Sequence, residues 1–110
     1  MSRFTIIVSA KAKEDILNIY EYISINLNSE LSALKLLKEI EETIRSLDQM
    51  PERFRRYEDD QLSRENIRFC PVKNYLIFYR VNKEKKLVEI IRVLYSRRKY
   101  EDILKSIWKI

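Results

Sequence analysis

The chain has 110 residues, 45% of them hydrophobic, with a formal net charge of +5. This length and hydrophobic content fit one folded domain around one core and exclude a disordered tail. There is no histidine, no glycine and a single cysteine, which removes the commonest general acid–base and metal ligand, any glycine-rich phosphate loop and any internal disulfide.

Charge is unevenly placed. Residues 64–110 hold 13 Lys or Arg against 5 Asp or Glu, a net of +8, and residues 1–63 hold 9 against 12, a net of −3. An anionic partner is therefore expected at the C-terminal half. No apolar run approaches the ~20 residues of a membrane span, and Phe4 to Val8 is too short for a signal peptide. The expectation is a cytoplasmic protein with no membrane contact, no metal and no cofactor.

In chain order, Arg3 to Val8 alternates as a strand, with apolar residues on both faces, and should pair inside a sheet. Ser9 is placed to cap a helix from Lys11 to about Ile25, whose apolar face is Ala12, Ile16, Ile19, Tyr20 and Ile23. Asn26 to Ser29 is a polar break. Ser29 then caps a second helix, with the stripe Ala33, Leu37, Ile40, Ile44 and Leu47, and Pro51 ends the helical region. Met50 to Ser63 is irregular. It carries Arg53, Arg55 and Arg56, then the acidic run Glu58-Asp59-Asp60, which reads as a solvated loop rather than a metal site.

Three strands follow at about Asn66 to Cys70, Asn74 to Val81 and Leu87 to Tyr95, with Pro71 suggesting a bend or an edge. Lys99 to Ile110 reads as a short C-terminal helix with Ile103, Leu104, Ile107 and Trp108 on its apolar side. Cys70 reads as a small buried hydrophobe.

Arginines lie in or beside these strands: Arg68, Arg80, Arg92, Arg97 and Arg98. Because strand side chains alternate between faces, the expectation is a sheet that hides apolar groups on one side. The other side would present a cationic, tyrosine-studded surface bearing Arg64, Arg68, Arg92, Tyr95, Arg97, Arg98 and Tyr100. The competing reading pairs Arg68 and Arg92 internally, with Glu89 or the acidic loop, and places Tyr75, Phe78 and Tyr79 in the core.

Four stretches carry a resemblance. They are Ala12-Lys-Glu-Asp-Ile16, Leu47-Asp-Gln-Met-Pro51, Asn74-Tyr-Leu-Ile-Phe-Tyr-Arg-Val81 and Ile91-Arg-Val-Leu-Tyr-Ser-Arg-Arg-Lys-Tyr-Glu-Asp-Ile-Leu104. In this order and spacing the chain resembles the RelE/ParE superfamily of bacterial type II toxins over nearly its whole length. The resemblance implies a single domain over residues 1–110 with an α+β, two-layer fold. Its antiparallel sheet, ordered β-α-α-β-β-β, would be covered on one face by a helical hairpin. It also implies a cognate antitoxin partner.

Two activities occur in that superfamily: inhibition of DNA gyrase, and cleavage of messenger RNA on the ribosome. For RNA cleavage the candidate catalytic residues are Arg68, Lys73, Arg92, Arg97, Arg98 and Tyr95, with Glu65 or Lys73 as base. Leu76 stands where the nuclease branch usually carries arginine, and Tyr95 where many members carry histidine. The pattern Arg92-Val-Leu with Arg97-Arg98 is nearer the ParE side, so gyrase leads, with ribosome-bound mRNA and an inactive, antitoxin-binding relative as alternatives.

Overall fold

The computed structural model describes residues 3–57 and 66–96. The chain runs β1 (Thr5–Val8), α1 (Ala10–Glu21), a π-helical turn (Tyr22–Asn26), α2 (Glu30–Ser46), a 3-10 turn (Pro51–Arg53), β2 (Ile67–Val72), β3 (Tyr75–Asn82) and β4 (Leu87–Tyr95). This is the expected α+β order. The C-terminal helix expected from Lys99 to Ile110 lies outside the described residues.

Local chemistry accounts for the helix starts. Ser9 Oγ accepts the Ala12 amide at 3.0 Å and also donates to the Ile91 carbonyl at 2.9 Å, so the cap ties α1 to β4. Ser29 Oγ accepts the Ser32 amide at 3.3 Å and opens α2. The first helix stops being α-helical at Glu21, earlier than its apolar pattern suggests, because the chain widens into the π turn. In α2 the deeply buried side chains are Ala33, Leu36, Ile40 and Ile44, so Leu36 takes the place the stripe gave to Leu37.

The sheet order is β1-β4-β3-β2. The meander β2-β3-β4 is antiparallel, whereas β1 joins β4 in parallel at an edge. The sheet is thus mixed, a correction to the wholly antiparallel expectation. The reason lies in the connection. The Phe4 amide donates to the Asp48 carbonyl at 2.8 Å, so α2 returns the chain to the end where β1 starts. β2 sets off in the direction of β1, and β4, two strands later, repeats it.

Pro71 sits inside β2 without breaking its ladder. Tyr57 N–H donates to the Ile67 carbonyl and Phe69 N–H to the Arg55 carbonyl, so alternate residues of β2 bond outward, away from β3. Pro71 falls in that outward set, where its missing N–H costs no bond to β3.

The main core lies between the helical hairpin and the sheet, around Ile40, Leu47, Ile77, Tyr79, Val88 and Ile90. A second apolar cluster, Tyr57, Ile67, Phe78, Ile91 and Leu94, occupies the opposite face. That face is therefore not the open cationic surface the alternation suggested. Ile91 is an extra residue: Phe78 pairs with Arg92 and Tyr79 with Ile90, so β4 bulges between them.

Without glycine, the tight turns place other residues at positive φ: Asn28 (50°), Met50 (47°), Asn66 (58°), Lys73 (53°) and Lys86 (55°). Asparagine tolerates this region, whereas Met and Lys sit there at a cost.

Candidate functional site

Two of the strand arginines are spent inside the fold. Arg92 presents Nε to Asp15 Oδ2 at 2.7 Å and Nη2 to Asp15 Oδ1 at 2.8 Å, and Asp15 Oδ2 also accepts the Val93 amide at 3.0 Å. Their side chains are only 15% and 9% exposed, which makes this an internal ion pair joining α1 to the β4 bulge. The hydrogen bonds that Arg92 donates to Asp15 raise the guanidinium's pKa above its ordinary value, against the opposing effect of burial.

Arg68 donates to the Phe54 carbonyl at 2.7 Å and the Glu52 carbonyl at 3.2 Å, and pairs with Glu52 Oε2 at 3.3 Å. It clamps the Pro51–Phe54 segment onto the sheet. Arg80 pairs with Glu89 at 3.2 Å from the face that carries the second cluster. The three guanidinium groups therefore do not gather on one exposed side: each meets a different carboxylate, because β2 and β4 face different neighbours. The internal-pairing alternative holds for Arg68 and Arg92, with Glu52 and Asp15 as partners in place of those foreseen.

Arg53, assigned from sequence to a basic cluster, caps α2 by donating to the Gln49 carbonyl at 2.7 Å and Ser46 Oγ at 2.8 Å. Arg55 lies over the Phe69 ring at 5.1 Å. Arg64, Glu65, Arg97, Arg98 and Tyr100 lie outside the described residues.

Lys73 and Tyr95 are brought together at a cleft of about 880 Å³ between the helical hairpin and the ends of β3 and β4. Ile19, Ile23, Leu36 and Val93 give its lining an apolar part. Tyr22, Tyr75 and Tyr95 stand around it, the last two edge to face with centroids 5.7 Å apart. Burial, reinforced by the neighbouring Tyr95 and Tyr22, holds the Tyr75 phenol above its usual pKa. Lys73 pairs with Glu39 at 3.6 Å across the mouth. Tyr22 at 53% exposed and Tyr95 at 40% leave large ring faces to solvent beside a concave apolar surface.

Sequence reading missed Asp15, Glu52 and Tyr22. Asp15 left a signal, since it lies within the apolar face running from Ala12 to Ile19, where a carboxylate needs an internal partner. Tyr22 left a spacing signal too, since it follows Asp15, Asn18 and Ile19 by seven, four and three residues on the same helix face.

Among the described residues no group of three or more His, Cys, Asp or Glu could hold a metal ion, and no helix is long and apolar enough to cross a membrane. Cys70 is buried, and its thiol is pushed up to about 11.

Residues 6–100 match the family model described as the ParE toxin of the type II toxin–antitoxin system parDE. No curated protein matches the sequence. The fold is similar to that in the chromosomal ParDE system of Pseudomonas aeruginosa, with a TM-score of 0.70 at 22% identity, covering 84% of this chain and 96% of that one. It is also similar to the toxin–antitoxin complex RelBE2 of Mycobacterium tuberculosis, at 0.64 and 17%, covering 84% and 98%. A third similar structure is an arginine-to-alanine double mutant of Escherichia coli toxin RelE in the free state, at 0.61 and 16%, covering 97% and 99%.

Proposed function

From the premise that the chain belongs to the ParE toxin family of type II toxin–antitoxin systems, we propose that it arrests growth by blocking DNA gyrase and is neutralised by a cognate antitoxin protein. The supporting observation is the internal use of Arg92 and Arg68. Ribosome-dependent RNA cleavage would need free cations facing a phosphate in its transition state. The Arg92 guanidinium is instead held at two points by Asp15, and that of Arg68 by Glu52 and two backbone carbonyls. Leu76 and Tyr95 likewise stand where the nuclease branch of the superfamily carries other residues.

On this reading the toxin acts by binding, and its target surface involves the cationic C-terminal half, with Arg64, Arg97, Arg98 and Tyr100 as the contacts to test. The partnership with an antitoxin is supported by the solved relatives, which include toxin–antitoxin systems.

The experiment is controlled induction in a bacterial host, with plasmid supercoiling and transcript integrity read from the same culture. Growth arrest with relaxed plasmid and intact transcripts is expected. Arrest with transcripts cut within codons would replace gyrase by ribosome-bound mRNA. No arrest at all would leave a relative that only binds its antitoxin.

A further inference from the structure

We propose that the outer face of α2 is a self-complementary surface. Two copies of this chain pair antiparallel through it, with Leu31, Leu34 and Leu37 of each meeting across a two-fold axis. The proposal holds whichever macromolecule the chain acts on.

Three observations carry it. First, α2 has a second apolar face. Ala33, Leu36, Ile40 and Ile44 are buried towards the sheet. Leu31 (68% exposed) and Leu34 (47%) belong to neither apolar cluster and do not line the cleft. Three-residue spacing places Leu31, Leu34 and the half-buried Leu37 along one stripe. A helix that only covers a sheet needs a single apolar face, so the stripe is surplus to the fold of one copy.

Second, opposite charges bracket the stripe. Glu30 precedes it, and Lys38 follows it. Glu30 forms no ion pair among the described residues. Lys38 meets Glu42 at 4.0 Å with both side chains exposed, a contact too open to hold the ammonium group.

Third, this order of residues fits its own reverse. With Leu34 on the two-fold axis, Leu34 meets Leu34 of the second copy, Leu31 meets Leu37, and Glu30 comes within reach of Lys38. Every contact off the axis occurs twice. A parallel pair would instead set Glu30 against Glu30 and Lys38 against Lys38. The antiparallel pair also opposes the two helix dipoles.

Other occupants fit the face less well. An anionic membrane surface or a nucleic acid calls for an excess of cations, whereas α2 carries four Glu against three Lys or Arg. One helix face is smaller than the ~1,200 Å² at which stable interfaces begin, so the pair is weak and exchanges with monomer.

The test is sedimentation equilibrium of the full-length chain from about 1 to about 500 μM. The average mass should climb from the 13.4 kDa of one chain towards twice that value. Leu34→Glu should stay monomeric throughout. Glu30→Lys and Lys38→Glu should each weaken the pair about fivefold, and the two together should restore it, because the reversed charges again meet their opposites. All three positions are exposed, and circular dichroism checks that the variants remain folded.

A monomer at every concentration overturns the proposal, as does a dimer that survives Leu34→Glu. A double reversal no tighter than the single ones overturns the antiparallel pairing. Loss of the dimer in Trp108→Ala but not in Leu34→Glu would move the interface to the C-terminal residues. Sedimentation of a purely monomeric chain with anionic lipid vesicles, abolished by Leu34→Glu, would make the stripe a membrane contact instead.

Discussion

Arg92 and Asp15, 77 positions apart, meet at two points, 2.7 and 2.8 Å, and the carboxylate also holds the amide of Val93. One side chain of α1 thus fixes the strand on the far side of the bulge at Ile91. Removing one partner of a buried pair leaves the other desolvated without compensation, at about 3–5 kcal/mol. Asp15→Ala and Arg92→Ala should each lose stability of that order in urea titrations. The double variant should lose clearly less than the sum. Additive losses would show the two groups to be uncoupled.

Much of the architecture was legible in the sequence because it follows from local chemistry. Ser9 and Ser29 announce the two helices, and the runs from Tyr75 to Val81 and Leu87 to Tyr95 announce the central strands. The parallel edge was not legible, since it depends on where α2 delivers Asp48 relative to Phe4, a contact between residues 44 positions apart in the chain. The site was legible only in part. Alternation along β4 says where Arg92 should point, but the extra Ile91 disturbs that alternation. The identity of the partner was hidden in the one acidic residue of an otherwise apolar helix face. Lys73 and Tyr95, a cation and an aromatic in the sequence, do share the cleft, and Tyr22, which completes it, stands on the same helix face as Asp15, Asn18 and Ile19, a spacing the apolar pattern alone does not single out.

Met50 occupies the left-handed region, φ 47°, immediately before Pro51, and is 66% exposed. A side chain with a Cβ costs roughly 1–2 kcal/mol there, and little packing is lost on its removal. Met50→Gly should raise stability, by about 1 kcal/mol once the extra freedom of glycine in the unfolded chain is subtracted. The denaturant midpoint should shift upward with the slope unchanged. A fall in midpoint would show that the Met50 side chain contributes packing that outweighs the strain.

Cys70 gives a pH dependence with a definite sign. Burial raises its thiol from 9.0 to about 11, opposed in part by nearby Arg53. The folded state therefore holds the proton where the unfolded chain has already lost it. This contribution to stability is complete below the unfolded pKa and declines as pH rises from about 9 towards 11. Stability measured across that window should fall more steeply for the unsubstituted chain than for Cys70→Ala. Equal slopes would place the thiol in contact with water.

Arg68 and Tyr79 hold the same short segment from opposite ends. Tyr79 Oη donates to the Pro51 carbonyl at 2.6 Å, and Arg68 donates to the carbonyls of Glu52 and Phe54. The segment's backbone oxygens are therefore satisfied by side chains from the sheet, which is how a glycine-free turn stays against the core. Tyr79→Phe leaves one buried carbonyl unpaired and should cost about 1–3 kcal/mol. Arg68→Lys keeps the charge but loses the planar fork that spans two carbonyls, so it should recover only part of the stability lost in Arg68→Ala. If toxicity declines in these variants only as far as folded protein declines, Arg68 serves the fold. Loss of toxicity at undiminished stability, by contrast, would make Arg68 a target-contacting residue.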